Sequence, residues 1–123
     1  EIVLNNTSME MLTFILKINT EENFYENVSS IVGLQPESYK YGWKFEIVFE
    51  EQKEYYDIIA KLLDSLEGKY EELQKLGITN KDISIWVIYG YNNQCNMEFE
   101  PNTLERLGKR GIKLCISCYE AGE

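Results

Sequence analysis

The sequence predicts an α+β fold: a single mixed or antiparallel sheet of about five strands, with helices mainly on one face. Segments of period-two hydrophobicity alternate with segments of helical periodicity along the chain. Residues 39–50 have one face almost wholly aromatic or aliphatic and another mostly polar, the mark of a sheet packed on one side and wet on the other. Residues 82–91 are apolar on both faces, as a central strand is. The order reads β-α-β-α(α)-β-β-α-β. A ferredoxin-like arrangement with an inserted helical hairpin fits that order.

Each element has its own warrant. "MLTFILKIN" reads as the first strand, with Leu12, Phe14, Leu16 and Ile18 on one face. Ile15 makes the second face partly apolar. "TEENFYENVSSIVG" reads as a helix capped by Thr20, with Glu21 and Glu22 at its positive end and Phe24, Val28 and Ile31 along one side. Gly33 supplies the stop. In "SYKYGWKFEIVFE", Tyr39, Tyr41, Trp43, Phe45, Ile47 and Phe49 alternate with Lys40, Gly42, Lys44, Glu46, Val48 and Glu50. The stretch 50–77 is helical, with Tyr55, Ile59, Leu62 and Leu66 stepping by three or four. Gly68 interrupts it and predicts a kink or two short helices. "DISIWVIYGY" is the central strand, with Trp86 and Ile88 on its second face. "NNQ" turns the chain into a short strand, "CNMEFE". Pro101 and Asn102 start a small helix that ends at Gly111, and "IKLCISCYE" is the last strand.

A chain of 123 residues is expected to be one domain, residues 1–123, large enough to be stable without disulfide or metal. Residues 1–10 are read as flexible or extraneous to the fold. They show no basic region of a secretory signal, so Asn5, Asn6 and Asn27 are taken as chance matches to the glycosylation sequon. The longest apolar runs are too short to span a membrane. These features, together with unpaired cysteines, lead to a cytoplasmic expectation.

Twelve basic residues oppose 21 acidic ones, a formal charge of −9. Such a surface disfavours nucleic acid and steers the domain toward basic partners. Good solubility is the plainer consequence of the same charge.

Cys115 and Cys118 form a C-x-x-C, but inside a strand pattern rather than at a helix N-terminus. Residues three apart in a strand point to opposite sides, so these sulfurs do not meet. Buried or half-buried free thiols are therefore expected. With no histidine in the chain and Cys95 as the remaining cysteine, a zinc site lacks ligands, and no metal or cofactor is expected. The absence of histidine also removes Ser-His and Cys-His nucleophile pairs, and no phosphate-cradling glycine motif occurs. No catalytic residues are assigned, and the domain is read as a non-enzyme.

Candidate contact residues are acidic and aromatic. Glu50, Glu51, Glu54 and Asp57 gather in one helical stretch, either as a solvated helix start or as an acidic patch. Glu98 and Glu100 alternate with Met97 and Phe99 and so face solvent. Tyr39 and Tyr41 are the least enclosed of the aromatic stripe, which is otherwise core.

Local phrases along the chain then form a larger pattern: "SSIVGLQPES", "GWKFEIVF", "IIAKLLDSLEGKYEELQKL" and "PNTLERLGKRGIKLCISCYE". From about Leu12 to Tyr119, the chain resembles a family of small stand-alone bacterial domains of unknown function. Some of these look like immunity proteins of polymorphic toxin systems. That resemblance implies a protein partner, a basic toxin such as a nuclease, met through the acidic surface. A small-ligand or peptide-binding accessory domain is the other reading.

Overall fold

The structure is a computed structural model that describes residues 11–49 and 57–121. Four strands form one mixed sheet: β1 (Met11–Ile18), β2 (Trp43–Phe49), β3 (Ile83–Tyr91) and β4 (Lys113–Glu120), in the order β2-β1-β3-β4. β1 pairs antiparallel with β2 and with β3, and β3 pairs parallel with β4. Four α-helices accompany them: α1 (Tyr25–Val32), α2 (Ile58–Leu66), α3 (Tyr70–Lys75) and α4 (Pro101–Arg110).

Burial follows the period of two. Leu12, Phe14, Leu16 and Ile18 of β1 meet Ile83, Ile85, Val87 and Tyr89 of β3 on one face. The helices close over that face with Val28 and Val32, Ile58, Ile59, Leu62, Leu63 and Leu66, Leu73, and Leu107. All belong to one contiguous core. Burying a Leu or Ile side chain contributes about 1.5–3 kcal/mol, so this layer is the main source of stability.

The strand and helix order holds with one exception. Residues 92–100 form a loop rather than a fifth strand. β3 already has β1 on one edge and β4 on the other, so a hairpin partner has no free edge to join. The alternation in "CNMEFE" survives as burial alone: Met97 and Phe99 pack on the core while Glu98 and Glu100 stay exposed. The ferredoxin-like order also differs from what is seen. A split βαβ unit keeps another strand between its first two, whereas β1 and β2 are direct antiparallel neighbours here.

Smaller departures have local causes. Thr20 does not cap a helix; a 3₁₀ turn over Glu22–Phe24 precedes α1, with Glu21 at its cap position. Gly33 ends α1 in the left-handed conformation at φ 81°. Gly68 divides the helical stretch into two short helices, α2 and α3, as expected, with φ at +78°. β2 begins at Trp43 rather than at Tyr39. Residues 39–42 form a turn closed by the Gly42 N–H donating to the Tyr39 carbonyl at 3.1 Å, with Gly42 at φ +100°.

Candidate functional site

The second face of the sheet is where the sequence left residues without cover. Ile15 is 7% exposed yet lies outside the helix-side core, and Trp86 and Ile88 are half-buried there. No described helix packs on them. Cross-strand register arranges this open face in rows. Glu46, Ile15, Trp86 and Cys115 form one, and Val48, Thr13, Ile88 and Ser117 the next. Together they make an apolar middle, with Val48 48% exposed. The Trp86 indole Nε1 donates to Ser84 Oγ at 3.1 Å, which fixes the ring on the surface.

The two ends of the sheet differ in charge. At one end Lys44, Lys17, Ser84 and Lys113 form a row on the open face. Like charges directly opposite one another are unfavourable, and Lys17 faces Lys44. Glu46, 3.9 Å from the Lys44 ammonium, and the Tyr41 ring offset part of that repulsion. At the other end, where β3 and β4 finish, the exposed Glu98, Glu100 and Glu120 lie on the loop and on β4. Met11, Gly90 and Tyr119 share the last row. A Cβ on Gly90 would lie 2.6 Å from the Tyr119 ring, so that ring rests directly on the glycine main chain.

The residues expected to contact a partner are not brought together as one patch. Glu50, Glu51 and Glu54 lie outside the described residues. Asp57 has an internal partner: Thr103 Oγ1 lies 2.9 and 2.8 Å from its two carboxylate oxygens, tying the start of α2 to α4. Elsewhere on the helices, Arg106 pairs with Asp64 at 2.9 Å and Arg110 with Glu67 at 3.2 Å. Those acids are therefore partly neutralised. Glu98 and Glu100 are exposed as expected.

The two tyrosines separate as well. Tyr39 is half-buried; its hydroxyl lies 2.8 Å from Ser29 Oγ and accepts from Gln35 Nε2 at 3.1 Å. Its ring packs 5.1 Å from that of Tyr25. Tyr41 is 72% exposed, with the ammonium groups of Lys40 and Lys44 at 5.4 and 5.6 Å from its ring centre. It borders a shallow cleft of about 240 Å³ along the outer edge of β2, lined also by Gln35, Glu37, Phe45 and Val48.

The cysteines correct one expectation. Cys115 is half-buried on the open face, but Cys118 and Cys95 are exposed. β4 is an edge strand, and Cys118 near its end stays exposed. Among the described residues, no group of three or more Cys, Asp or Glu could hold a metal ion, and no helix is long and apolar enough to cross a membrane.

The open face was partly legible. Ile15, Trp86 and Ile88 mark both central strands as apolar on two sides, while the helical segments suffice for only one. A family model for a domain of unknown function, DUF4279, matches residues 6–121. No curated protein and no solved structure matches the chain.

Proposed function

The chain belongs to the DUF4279 family, and from that premise we propose that it is a non-catalytic protein-binding domain. Its finer role in this reading is that of a cytoplasmic immunity protein that holds a basic bacterial toxin inactive. The observation that carries the reading is the apolar middle of the second sheet face, with Val48 exposed, Trp86 and Ile88 half-buried and Ile15 buried between them, and with no described helix over it. Exposed apolar patches bordered by charge mark protein contacts, and tryptophan is enriched at their energetic centres.

Charge sets the orientation. The formal charge of −9 steers the domain toward a basic protein. Glu98 and Glu100, on the loop at one end of the sheet, meet its basic groups, and the row of Lys17, Lys44 and Lys113 meets acidic groups at the other. Tyr41 extends the surface at the lysine end. A small-ligand role draws no support from the two clefts lined by described residues, whose volumes of about 240 and 210 Å³ fall below the roughly 300–1,000 Å³ of typical ligand sites.

The test uses the domain as bait in lysate of its source bacterium, washed at low and at high salt. Two variants run beside it: Val48→Asp with Ile88→Asp, and Glu98→Lys with Glu100→Lys. A basic protein retained at low salt, weakened at high salt, and lost from both variants supports the reading. Retention undiminished by the open-face pair would sink the assignment of that face. Whether the domain protects cells expressing the captured protein then decides the immunity role.

A further inference from the structure

Cys95 and Cys118 lie 23 residues apart in sequence, on the 92–100 loop and on β4, yet their sulfurs are 2.8 Å apart. That is about 0.8 Å more than the roughly 2.05 Å of a disulfide bond. Both side chains are exposed and both thiols are free. Cys115, the near neighbour in sequence, belongs to the opposite face of β4: it shares a row with Trp86, while Cys118 shares one with Tyr89. The C-x-x-C spacing therefore draws attention to the wrong pair. The hydrogen bond with Cys118 also raises the Cys95 thiol above its ordinary pKa, which agrees with a proton held between the two sulfurs.

We propose that Cys95 and Cys118 are a redox site that closes to a reversible intramolecular disulfide and fastens the 92–100 loop to the edge strand. With a peroxide as oxidant, one thiolate attacks a peroxide oxygen and breaks the O–O bond, giving a sulfenic acid and hydroxide, which the proton shed by the thiol turns to water. The second thiol displaces the sulfenic oxygen as a second water and forms the S–S bond. Two electrons pass from the sulfurs to the peroxide. A dithiol reverses the step by exchange, taking up the oxidation itself. Exposure gives oxidant and reductant access to both sulfurs.

The loop has no β-ladder of its own, and it carries Glu98 and Glu100. Closing the bond removes freedom from that segment and limits the unfolded chain. The disulfide itself does not rest on the proposed partner. Only its effect on partner binding, through Glu98 and Glu100, rests on that reading.

The experiment treats the reduced, native protein with hydrogen peroxide, blocks the remaining thiols with a maleimide, and maps the peptides by mass spectrometry. Labelling is expected to fall from three thiols per chain to one, with a Cys95–Cys118 cross-linked peptide in a monomeric protein. Tm should rise on the order of 10 °C and return with dithiothreitol. Cys115→Ser should form the same link, its labelling falling from two thiols to none, while Cys95→Ser should leave Cys118 open to labelling or over-oxidation. Three surviving thiols, a link to Cys115, an intermolecular bond, or sulfinic acid without a disulfide would each overturn the proposal. Partner capture compared between the two redox forms tests the binding reading separately.

Discussion

Replacing Ser29 by alanine tests how the first helix is fastened to the sheet. Ser29 is buried on α1, and its Oγ accepts from the Trp43 indole Nε1 at 2.9 Å. Trp43 is 1% exposed, so no water can replace the lost acceptor. A buried donor left unpaired costs about 1–3 kcal/mol. The substitution also gains roughly 0.5 kcal/mol of helix propensity, since alanine is the better helix former. The net expectation is a loss of about 1.5 kcal/mol, seen as a fall of about 1 M in the urea midpoint. Trp43 fluorescence reports the transition. Two controls separate the contributions. Ser30→Ala on the exposed side of the same helix isolates the propensity gain and should not destabilise. Tyr39→Phe removes the hydroxyl that meets Ser29 but keeps the indole bond, and should cost at most about 1 kcal/mol. A Ser29→Ala midpoint matching the wild type, or a Tyr39→Phe loss as large as that of Ser29→Ala, would refute the claim that the indole bond dominates.

Other expectations follow from the same structure. The Tyr70 hydroxyl is buried without a hydrogen-bond partner, and burial raises its pKa above the ordinary 10.0 despite the nearby Arg110. The folded state therefore holds this proton longer than the unfolded chain. Its contribution is intact below pH 10 and is lost as pH rises toward the folded value. Tyr70→Phe should be neutral or stabilising by up to about 1 kcal/mol at pH 7 and should flatten the decline above pH 10, read by urea titration at several pH values. Thr103→Val keeps the shape of a buried residue but removes the donor to Asp57, and should cost about 1–3 kcal/mol in the same assay. Trp86 on the open face should account for most acrylamide quenching, and Trp86→Phe should leave an emission that quenches poorly, from Trp43 alone.

Hydrophobic period made most of the fold readable. "MLTFILKI" and "ISIWVIYGY" could be assigned with their faces because the core-side residues recur every second position along each strand, even where Ile15 and Gly90 are buried as well. Gly33, Gly68 and Gly111 marked real ends because a left-handed residue stops a helix wherever the chain then goes. The loop at 92–100 was misread because "CNMEFE" alternates like a strand, and only the global order shows that β3 has both edges occupied. Pairing between distant segments was hidden for the same reason. Nothing local joins Cys95 to Cys118, Thr103 to Asp57, or Ser29 to Trp43. The candidate contacts fared unevenly because exposure depends on neighbours. Glu98 and Glu100 are exposed on a loop, whereas Asp57 and Tyr39 satisfy partners elsewhere in the chain. The second face of the sheet needed a count of cover: both central strands are apolar on two sides, and every described helix went to one.

The pairing of Gly90 with Tyr119 gives that face an adjustable relief. Elsewhere its height is set by packed side chains. Above Gly90 it falls to the level of the main chain, and the ring of Tyr119, half exposed on an edge strand, is what fills the dip. Swinging one ring aside would open a slot one residue wide beside Ile88, without moving a strand. Any side chain at position 90 would fill that slot for good and leave the surface with a single contour.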